Sequence, residues 1–421
     1  MTGRNSSASG KPFPITKRMV WEAYLEVRGK GKAAGVDRQS LEDFDEDREN
    51  NLYRLWNRMA SGSYFPPPVK RVEIPKGGGG TRSLGIPTVT DRIAQMVVKK
   101  WLEPDLDGHF DPDSYGYRPG KSAHDAVGQA RERCWRRDWV VDLDIKAFFD
   151  SIDHGLMMKA LHQHTQEKWV LLYVQRWLEA PVQLPDGRRE ERRVGTPQGG
   201  VISPLLANLF LHYVFDRWMR THHPGVQFER YADDAICHCT SRRGAERLKE
   251  ELEERFWACG LVLHPEKTRI VYCKDSRRRG SYPDIQFTFL GFCFRPRAAA
   301  DRKGERFTSF LPGVSPRALK KMRERIRSWR LGDHAPLPLE DVTRFINPIL
   351  RGWWQYYGRY YPSAMYRLFR YLDERLGSYL RRKYRDLWNH TGRSLRRLNQ
   401  IATQNPEWLV HWQKFGRAMV G

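Results

Sequence analysis

None of the six cysteines, Cys134, Cys237, Cys239, Cys259, Cys273 and Cys293, stands in a CxxC pair. Zinc-ribbon spacing is therefore absent, and isolated thiols in a chain this size read as buried groups of a reducing cytosol. Acidic residues are also in short supply. The chain has 50 Asp+Glu against 73 Lys+Arg, a net charge of +23 and a pI near 9.9. Such a surplus attracts a polyanion, nucleic acid before anionic membrane, and no basic amphipathic anchor or lipidation signal favours the membrane. Residues 1–17 contain no apolar run of the kind that directs secretion. Residues 194–215 have no Asp, Glu, Lys or Arg and are long enough to span a bilayer. Pro197, Gln198, Gly199, Gly200, Ser203, Pro204, Asn208 and His212 interrupt them, so they read as a buried loop and helix. A Walker A loop is missing too: Gly120-Lys121-Ser122 imitates its end, but Tyr115 stands where the first glycine is required.

What is present is a globular chain of 421 residues, 40% hydrophobic, with room for two or three domains. A leader precedes helical spacing of Trp21, Tyr24 and Leu25. Residues 29–35 are a basic, glycine-rich loop whose simplest reading is a surface turn. Residues 69–76 alternate like a strand, followed by four glycines and by Thr81-Arg82-Ser83-Leu84-Gly85-Ile86-Pro87. This is a hairpin with Lys76 and Arg82 on its arms. Two cations beside a glycine tip suit a triphosphate; a solvated basic hairpin is the alternative.

Two further stretches place carboxylates among apolar residues. Trp139 to Ile145 reads as a strand with Asp142 and Asp144 on one face. Val226 to Cys237 reads as two short strands around Asp233-Asp234. Buried carboxylates are costly. Two charges about 4 Å apart at an effective dielectric of ~20 repel by roughly 4 kcal/mol. A cluster of Asp144, Asp233 and Asp234 thus needs protons, arginines or divalent cations. Hard oxygen ligands and a polyanionic partner point to Mg²⁺, and two such ions would serve nucleotidyl transfer. Residues 156–161 and 169–178 are helical, residues 245–259 form an amphipathic helix capped at Gly260, and residues 261–263 and 270–272 return as strands. That order is a split βαβ sheet.

Past Arg295 helical spacing takes over: Leu319, Met322, Ile326, Trp329; then Val342, Phe345, Ile349; then Met365, Leu368, Leu372, Leu376. Residues 295–397 hold 25 Lys+Arg against 9 Asp+Glu. Trp353, Trp354, Tyr356, Tyr357, Tyr360 and Tyr361 interleave with Arg351 and Arg359. Cations for phosphate and rings for bases are what a nucleic-acid groove uses, while a share of the rings belongs to a core.

Tyr231-Ala232-Asp233-Asp234 resembles the catalytic box of reverse transcriptases, and the chain from about residue 20 onward is similar to the group II intron-encoded reverse transcriptases, or maturases. Ile74-Pro75-Lys76, Arg82 to Pro87 and Asp91-Arg92-Ile93-Ala94-Gln95 resemble the fingers motifs. Tyr115 to Gly120, Asp144 to Asp150, Gly195 to Gly200, Glu266-Lys267-Thr268 and Phe289 to Phe292 resemble successive later blocks. Arg351-Gly352-Trp353 through Tyr357 resembles the thumb, domain X. The resemblance implies an α+β right-hand polymerase, fingers and split βαβ palm, followed by an all-α thumb. The expected boundaries are a leader at 1–20, N-terminal extension and fingers at 21–138, palm at 139–297, thumb at 298–389 and a final segment at 390–421. That segment is either a short DNA-binding tail or a helical cap.

The resemblance also implies roles. Asp144, Asp233 and Asp234, with the Ile145 carbonyl, would hold two Mg²⁺ ions. Lys76 and Arg82 would grip the incoming triphosphate, and Gln198 would line the pocket. Phe149, or failing it Phe148, would exclude a ribose 2′-hydroxyl. Lys267 would protonate pyrophosphate. Arg351, Trp353, Tyr357, Arg359, Arg381, Arg382 and Lys383 are the candidate nucleic-acid contacts. The implied partners are dNTPs, an RNA template with a DNA primer, target DNA and group II intron RNA, and the implied setting is the cytoplasm of a bacterium, near the nucleoid, with no membrane. Without CxxC pairs after the thumb, no HNH endonuclease and no second-strand cutting are expected. Two other readings share these residues: an RNA-binding maturase without polymerase activity, and a domesticated reverse transcriptase in repair or phage defence.

Overall fold

The computed structural model describes residues 10–29, 33–75, 80–301 and 303–419. Lys76, the glycines at 77–79, most of the leader and Lys30, Gly31 and Lys32 of the basic loop lie outside the described residues. No described helix is long and apolar enough to cross a membrane. The chain divides into two compact units. One comprises Met1–Ala123, Leu143–Cys237 and Arg243–Thr268; the other comprises His124–Asp142, His238–Arg242 and Arg269–Gly421.

In chain order, the elements used below begin with β1 (Val69–Pro75), β2 (Thr81–Ile86), α1 (Val89–His109), α2 (Ala123–Arg136) and β3 (Trp139–Leu143). Next come α3 (His154–His162), α4 (Lys168–Glu179), α5 (Ser203–Leu211), β4 (Gln227–Tyr231), β5 (Asp234–Cys239) and α6 (Arg242–Ala258). The remainder are β6 (Arg269–Tyr272), β7 (Phe287–Phe289), β8 (Phe292–Ala300), β9 (Arg306–Val314), α7 (Pro316–Ser328), α8 (Leu339–Tyr357), α9 (Tyr366–Lys383), α10 (Thr391–Gln404) and α11 (Val410–Phe415).

In the first unit, β1 and β2 form the expected antiparallel hairpin, in register from Lys70–Ile86 to Pro75–Thr81. Thr88 then starts α1, its hydroxyl accepting from the Asp91 N–H, as a capping Thr does. The uncharged stretch is a loop followed by α5, all of whose residues but Pro204 are buried. One expected stripe is rotated. In the helix Lys17–Arg28 the buried residues are Val20, Ala23, Tyr24 and Val27, while Trp21 and Leu25 are exposed. α1 is held from below by its own Asp91. That carboxylate is fully buried and accepts from Tyr64 Oη at 2.8 Å, Trp177 Nε1 at 2.8 Å and Gln95 Nε2 at 2.9 Å.

In the second unit β3 pairs antiparallel with β6. Asp142, on β3, lies 3.9 Å from the Arg269 guanidinium. Residues 298–314 are not helical. β8 and β9 pair from Phe292–Val314 to Ala300–Arg306, and helix begins only where Ser315 caps α7 with Pro316 in the first turn. The helical spacing expected past Arg295, and the thumb expected from 298, therefore give way here to a β-ribbon. On α8 the buried face is Leu339, Val342, Thr343, Ile346, Asn347 and Leu350. Phe345 is 64% exposed, so the 342/345/349 stripe belonged one residue further on. Met365, Leu368, Leu372 and Leu376 are all buried, as expected.

The final segment packs into this helical core. Leu398, Ala402, Leu409 and Trp412 are fully buried. Asp373 of α9 accepts from His411 Nε2 at 2.9 Å, Trp412 Nε1 at 3.0 Å and the Met419 N–H at 2.6 Å, and the His411 ring stacks on Phe369. Asp373→Ala would strand two buried donors and one part-buried donor, each buried one costing ~1–3 kcal/mol. The expected loss is about 3 kcal/mol or more, read as a lowered thermal midpoint in calorimetry.

Candidate active site

The two aspartate stretches meet within the first unit. β3 stops at Leu143, and Asp144 follows it with a chain that stays extended for one more residue. The His264 N–H donates to the Asp144 carbonyl at 2.7 Å and the Lys146 N–H to the Val262 carbonyl at 2.8 Å, on either side of an isolated bridge between Ile145 and Leu263. In an antiparallel pair those flanking bonds turn the Ile145 carbonyl to the opposite side of the strand. Asp233 lies at the two-residue turn between β4 and β5, and Asp234 opens β5. Burial, and also the neighbouring Asp144 charge, holds the Asp233 carboxyl above its ordinary pKa. Lys267 Nζ is 3.6 Å from Asp144 Oδ1. Half-buried oxygens that repel one another, offset in part by Lys267 and Arg230, suit divalent cations better than they suit protons at neutral pH.

The turn itself is strained. Ala232 has φ 57° and Ala147, three residues after Asp144, φ 48°. That left-handed conformation costs a non-glycine residue about 1–2 kcal/mol. Neighbours hold the turn in place. Arg230, with no exposed side-chain surface, donates to both Asp216 oxygens at 2.7 and 2.6 Å, to Asn208 Oδ1 at 2.9 Å and to the Ala232 carbonyl at 3.0 Å. Alongside, the Tyr115 N–H donates to the Arg230 carbonyl and the Arg230 N–H to the Asp113 carbonyl. A Cβ on Gly116 would collide with the Ala232 backbone nitrogen, so glycine there lets this strand lie against the turn.

The expected nucleotide residues are brought together by backbone bonds. Gly85 of β2 donates to the Gln198 carbonyl at 2.6 Å, and the Thr196 N–H donates to the Phe149 carbonyl at 2.7 Å. One loop therefore joins the strand bearing Arg82 to the segment bearing Phe149. Gln95 Oε1 accepts from the Val201 N–H at 2.7 Å, which couples that loop to buried Asp91. Phe148 is buried on Phe210, whereas Phe149 is partly exposed. Phe148 is thus a core ring, and only Phe149 is accessible to a ligand. Lys76 falls outside the described residues.

Sequence reasoning missed Arg230, Gln95 and Tyr117. Tyr117 also has a positive φ, 56°, and its ring is 58% exposed and 6.2 Å from Tyr231. Partial burial raises its hydroxyl pKa, with Tyr231 and Asp233 adding to the rise and Arg82 opposing it. It therefore stands among those groups. An arginine directly before the aspartate box and a second tyrosine in Tyr115-Gly116-Tyr117 were the available signals.

The basic-region candidates divide differently. Arg351 and Arg359 are exposed. Trp353 stacks on Trp329 at 6.0 Å, and Tyr357 packs on Phe292, so these rings serve the fold. Lys383 Nζ donates to the Leu337 carbonyl at 2.6 Å, Arg381 binds Ser378 and Ser394, and Arg382 pairs with Asp333 at 3.1 Å on the surface. All three are engaged within the protein, which the sequence pattern of adjacent cations did not reveal.

Residues 74–294 match the family model of reverse transcriptase (RNA-dependent DNA polymerase), and residues 319–398 match that of the group II intron maturase-specific domain. Protein YkfC of Escherichia coli (strain K12) is 30% identical over 282 residues, 57% of this chain and 70% of YkfC. Group II intron-encoded protein LtrA of Lactococcus lactis subsp. cremoris is 32% identical over 228 residues, 52% of this chain and 37% of LtrA. The putative COX1/OXI3 intron 1 protein of Saccharomyces cerevisiae is 30% identical over 326 residues, 65% of this chain and 39% of its own length. Among solved structures, a Candida albicans telomerase complexed with a telomeric RNA fragment aligns over 91% of this chain and 70% of its own. The TM-score is 0.47 and the identity 10%, a likeness too slight to refine any assignment. With its aspartate site inside one matched region and its helical module inside the other, the chain belongs to the reverse transcriptase family, in the group that carries the group II intron maturase-specific domain.

Proposed function

We propose that the chain copies RNA into DNA by two-metal nucleotidyl transfer and assists the splicing of a group II intron RNA as its maturase. The observation that carries this reading is the convergence of Asp144, Asp233 and Asp234 beside the loop that links Arg82, Gln198 and Phe149. Bound between those carboxylates and the Ile145 carbonyl, two Mg²⁺ ions would activate the primer 3′-hydroxyl and neutralise the departing pyrophosphate. The protein's own groups do the rest. Arg82, and with it Lys76 as the family resemblance implies, would grip the triphosphate through charged hydrogen bonds. Gln198 would line the nucleotide pocket, and Lys267, 3.6 Å from Asp144 Oδ1, would give a proton to pyrophosphate. Arg351 and Arg359 offer exposed cations to intron RNA or to the primer–template duplex. Target DNA is the further partner, and the bacterial nucleoid the proposed setting.

The test is extension of a DNA primer on an RNA template by the full chain with dNTPs and Mg²⁺; a folded protein that extends nothing overturns the polymerase reading. The maturase-domain match favours splicing assistance as a separable activity, measured as intron splicing with and without the protein. Splicing that is intact when Asp233 is replaced would separate the two. Phe149→Ala is expected to raise rNTP incorporation relative to dNTP by more than about tenfold, because the clash that rejects a 2′-hydroxyl is removed. Single-nucleotide competition assays read the ratio, and an unchanged ratio would remove Phe149 from the sugar contact.

A further inference from the structure

A second cluster of potential metal ligands lies on the same unit, and the aspartate site uses none of it. The last turns of α1 carry Asp105 and His109, one helical turn apart, and the connection between α3 and α4 carries His164. Each offers a ligand atom within 4.8 Å of the others. The two rings meet edge to face, 4.9 Å between centroids.

The outer partners of the imidazoles favour ligation. His109 Nδ1 is 2.8 Å from the Asp105 carbonyl, so that nitrogen carries the proton and Nε2 keeps its lone pair. His164 Nε2 is 2.9 Å from Tyr213 Oη. When Nε2–H donates to that oxygen, Nδ1 is the free lone pair. A carbonyl or hydroxyl on the far nitrogen is the arrangement that orients metal-binding histidines. Asp105 and His164 also border an open cleft of about 700 Å³ shared with Phe13, Trp101 and Trp169. A bound ion would therefore keep an open coordination position.

We propose that Asp105, His109 and His164 form a binding site for a divalent transition-metal ion of the zinc type, tying the end of α1 to the α3–α4 connection. Two imidazoles and one carboxylate suit zinc, whereas all-oxygen donors suit Mg²⁺. The two sites therefore sort metals by ligand chemistry. With bonds of about 2.0–2.1 Å, tetrahedral donors stand roughly 3.3 Å apart. Asp105 is exposed, and its side chain is free to rotate and close that gap.

The experiment titrates Co²⁺, a visible reporter, into chelator-stripped full-length protein with Mg²⁺ in excess to occupy the aspartates. Zn²⁺ then competes the Co²⁺ away. The expected result is one equivalent of Co²⁺ with the strong visible bands of a four- or five-coordinate nitrogen–oxygen site. His109→Gln and His164→Gln each weaken binding at least tenfold, and the double variant abolishes it. Primer extension is retained in these variants. Asp105→Ala, at an exposed position, replaces either histidine variant if one fails to fold. Identical titrations of wild type and variants, or folded wild type showing only the weak bands of Co²⁺ in water, would overturn the proposal.

Discussion

Asp233→Ala is expected to cut dNTP incorporation on a primed RNA template by at least about a thousandfold, leaving the protein folded. A metal-holding carboxylate supplies several kcal/mol of transition-state stabilisation, and each 1.36 kcal/mol is tenfold in rate. Retained activity would remove the aspartate cluster from the chemistry. Chelation of divalent ions should reproduce the loss, and added Mg²⁺ should restore wild type alone. Asp142→Ala is the control: that residue faces Arg269, and its loss should change the rate severalfold at most. Acid should mimic the substitution. Burial and Asp144 raise the Asp233 pKa, and only the ionised carboxylate binds the cation. Activity therefore climbs as pH rises through that raised value, and higher Mg²⁺ moves the acid limb to lower pH. A limb indifferent to Mg²⁺ would contradict this competition.

Asp216→Ala is expected to destabilise the protein by about 3–5 kcal/mol, because it leaves the Arg230 guanidinium buried without its counter-ion. Neither side chain has exposed surface. The double substitution Asp216→Leu with Arg230→Met should recover most of that stability, since a buried pair is often replaceable by apolar groups of similar volume. It should not recover polymerisation, because the Ala232 carbonyl would still lack its donor and the strained turn its support. Calorimetry and primer extension on the three proteins separate these outcomes. Equal recovery of both would show that Arg230 serves packing alone. The pair also has a pH signature. Burial works against the Asp216 charge, but Arg230 overcomes it and holds the carboxyl below its ordinary value. The stabilisation is complete above the unfolded carboxylate pKa and is lost as pH falls through the folded one. The double variant should lack that acid-dependent component.

Local chemistry was legible without coordinates. The β1–β2 hairpin followed from alternation and four glycines, and the uncharged stretch from the polar residues that interrupt it. Helical stripes were legible as helices but not always as faces. Around Trp21 and Phe345 the sequence has apolar residues on more than one side, and only packing decides which side is buried. Cations were hardest to read, since Lys383 and Arg381 look in sequence like any exposed pair but satisfy carbonyls and hydroxyls of neighbouring helical segments.

By itself the sequence determined the chemical inventory: three aspartates at strand ends, a cationic hairpin, a glycine-rich loop, two adjacent phenylalanines, and a basic helical module with the resemblance these carry. Side-chain type and short-range spacing are properties of the linear chain. The tertiary structure decided which of those groups meet. Asp142 faces Arg269, Phe148 turns to the core while Phe149 does not, and Arg230 becomes the brace of the Ala232–Asp233 turn. Each depends on a partner outside its own element, Arg269, Phe210 and Asp216 respectively, and no local pattern encodes the distance between residues on separate elements.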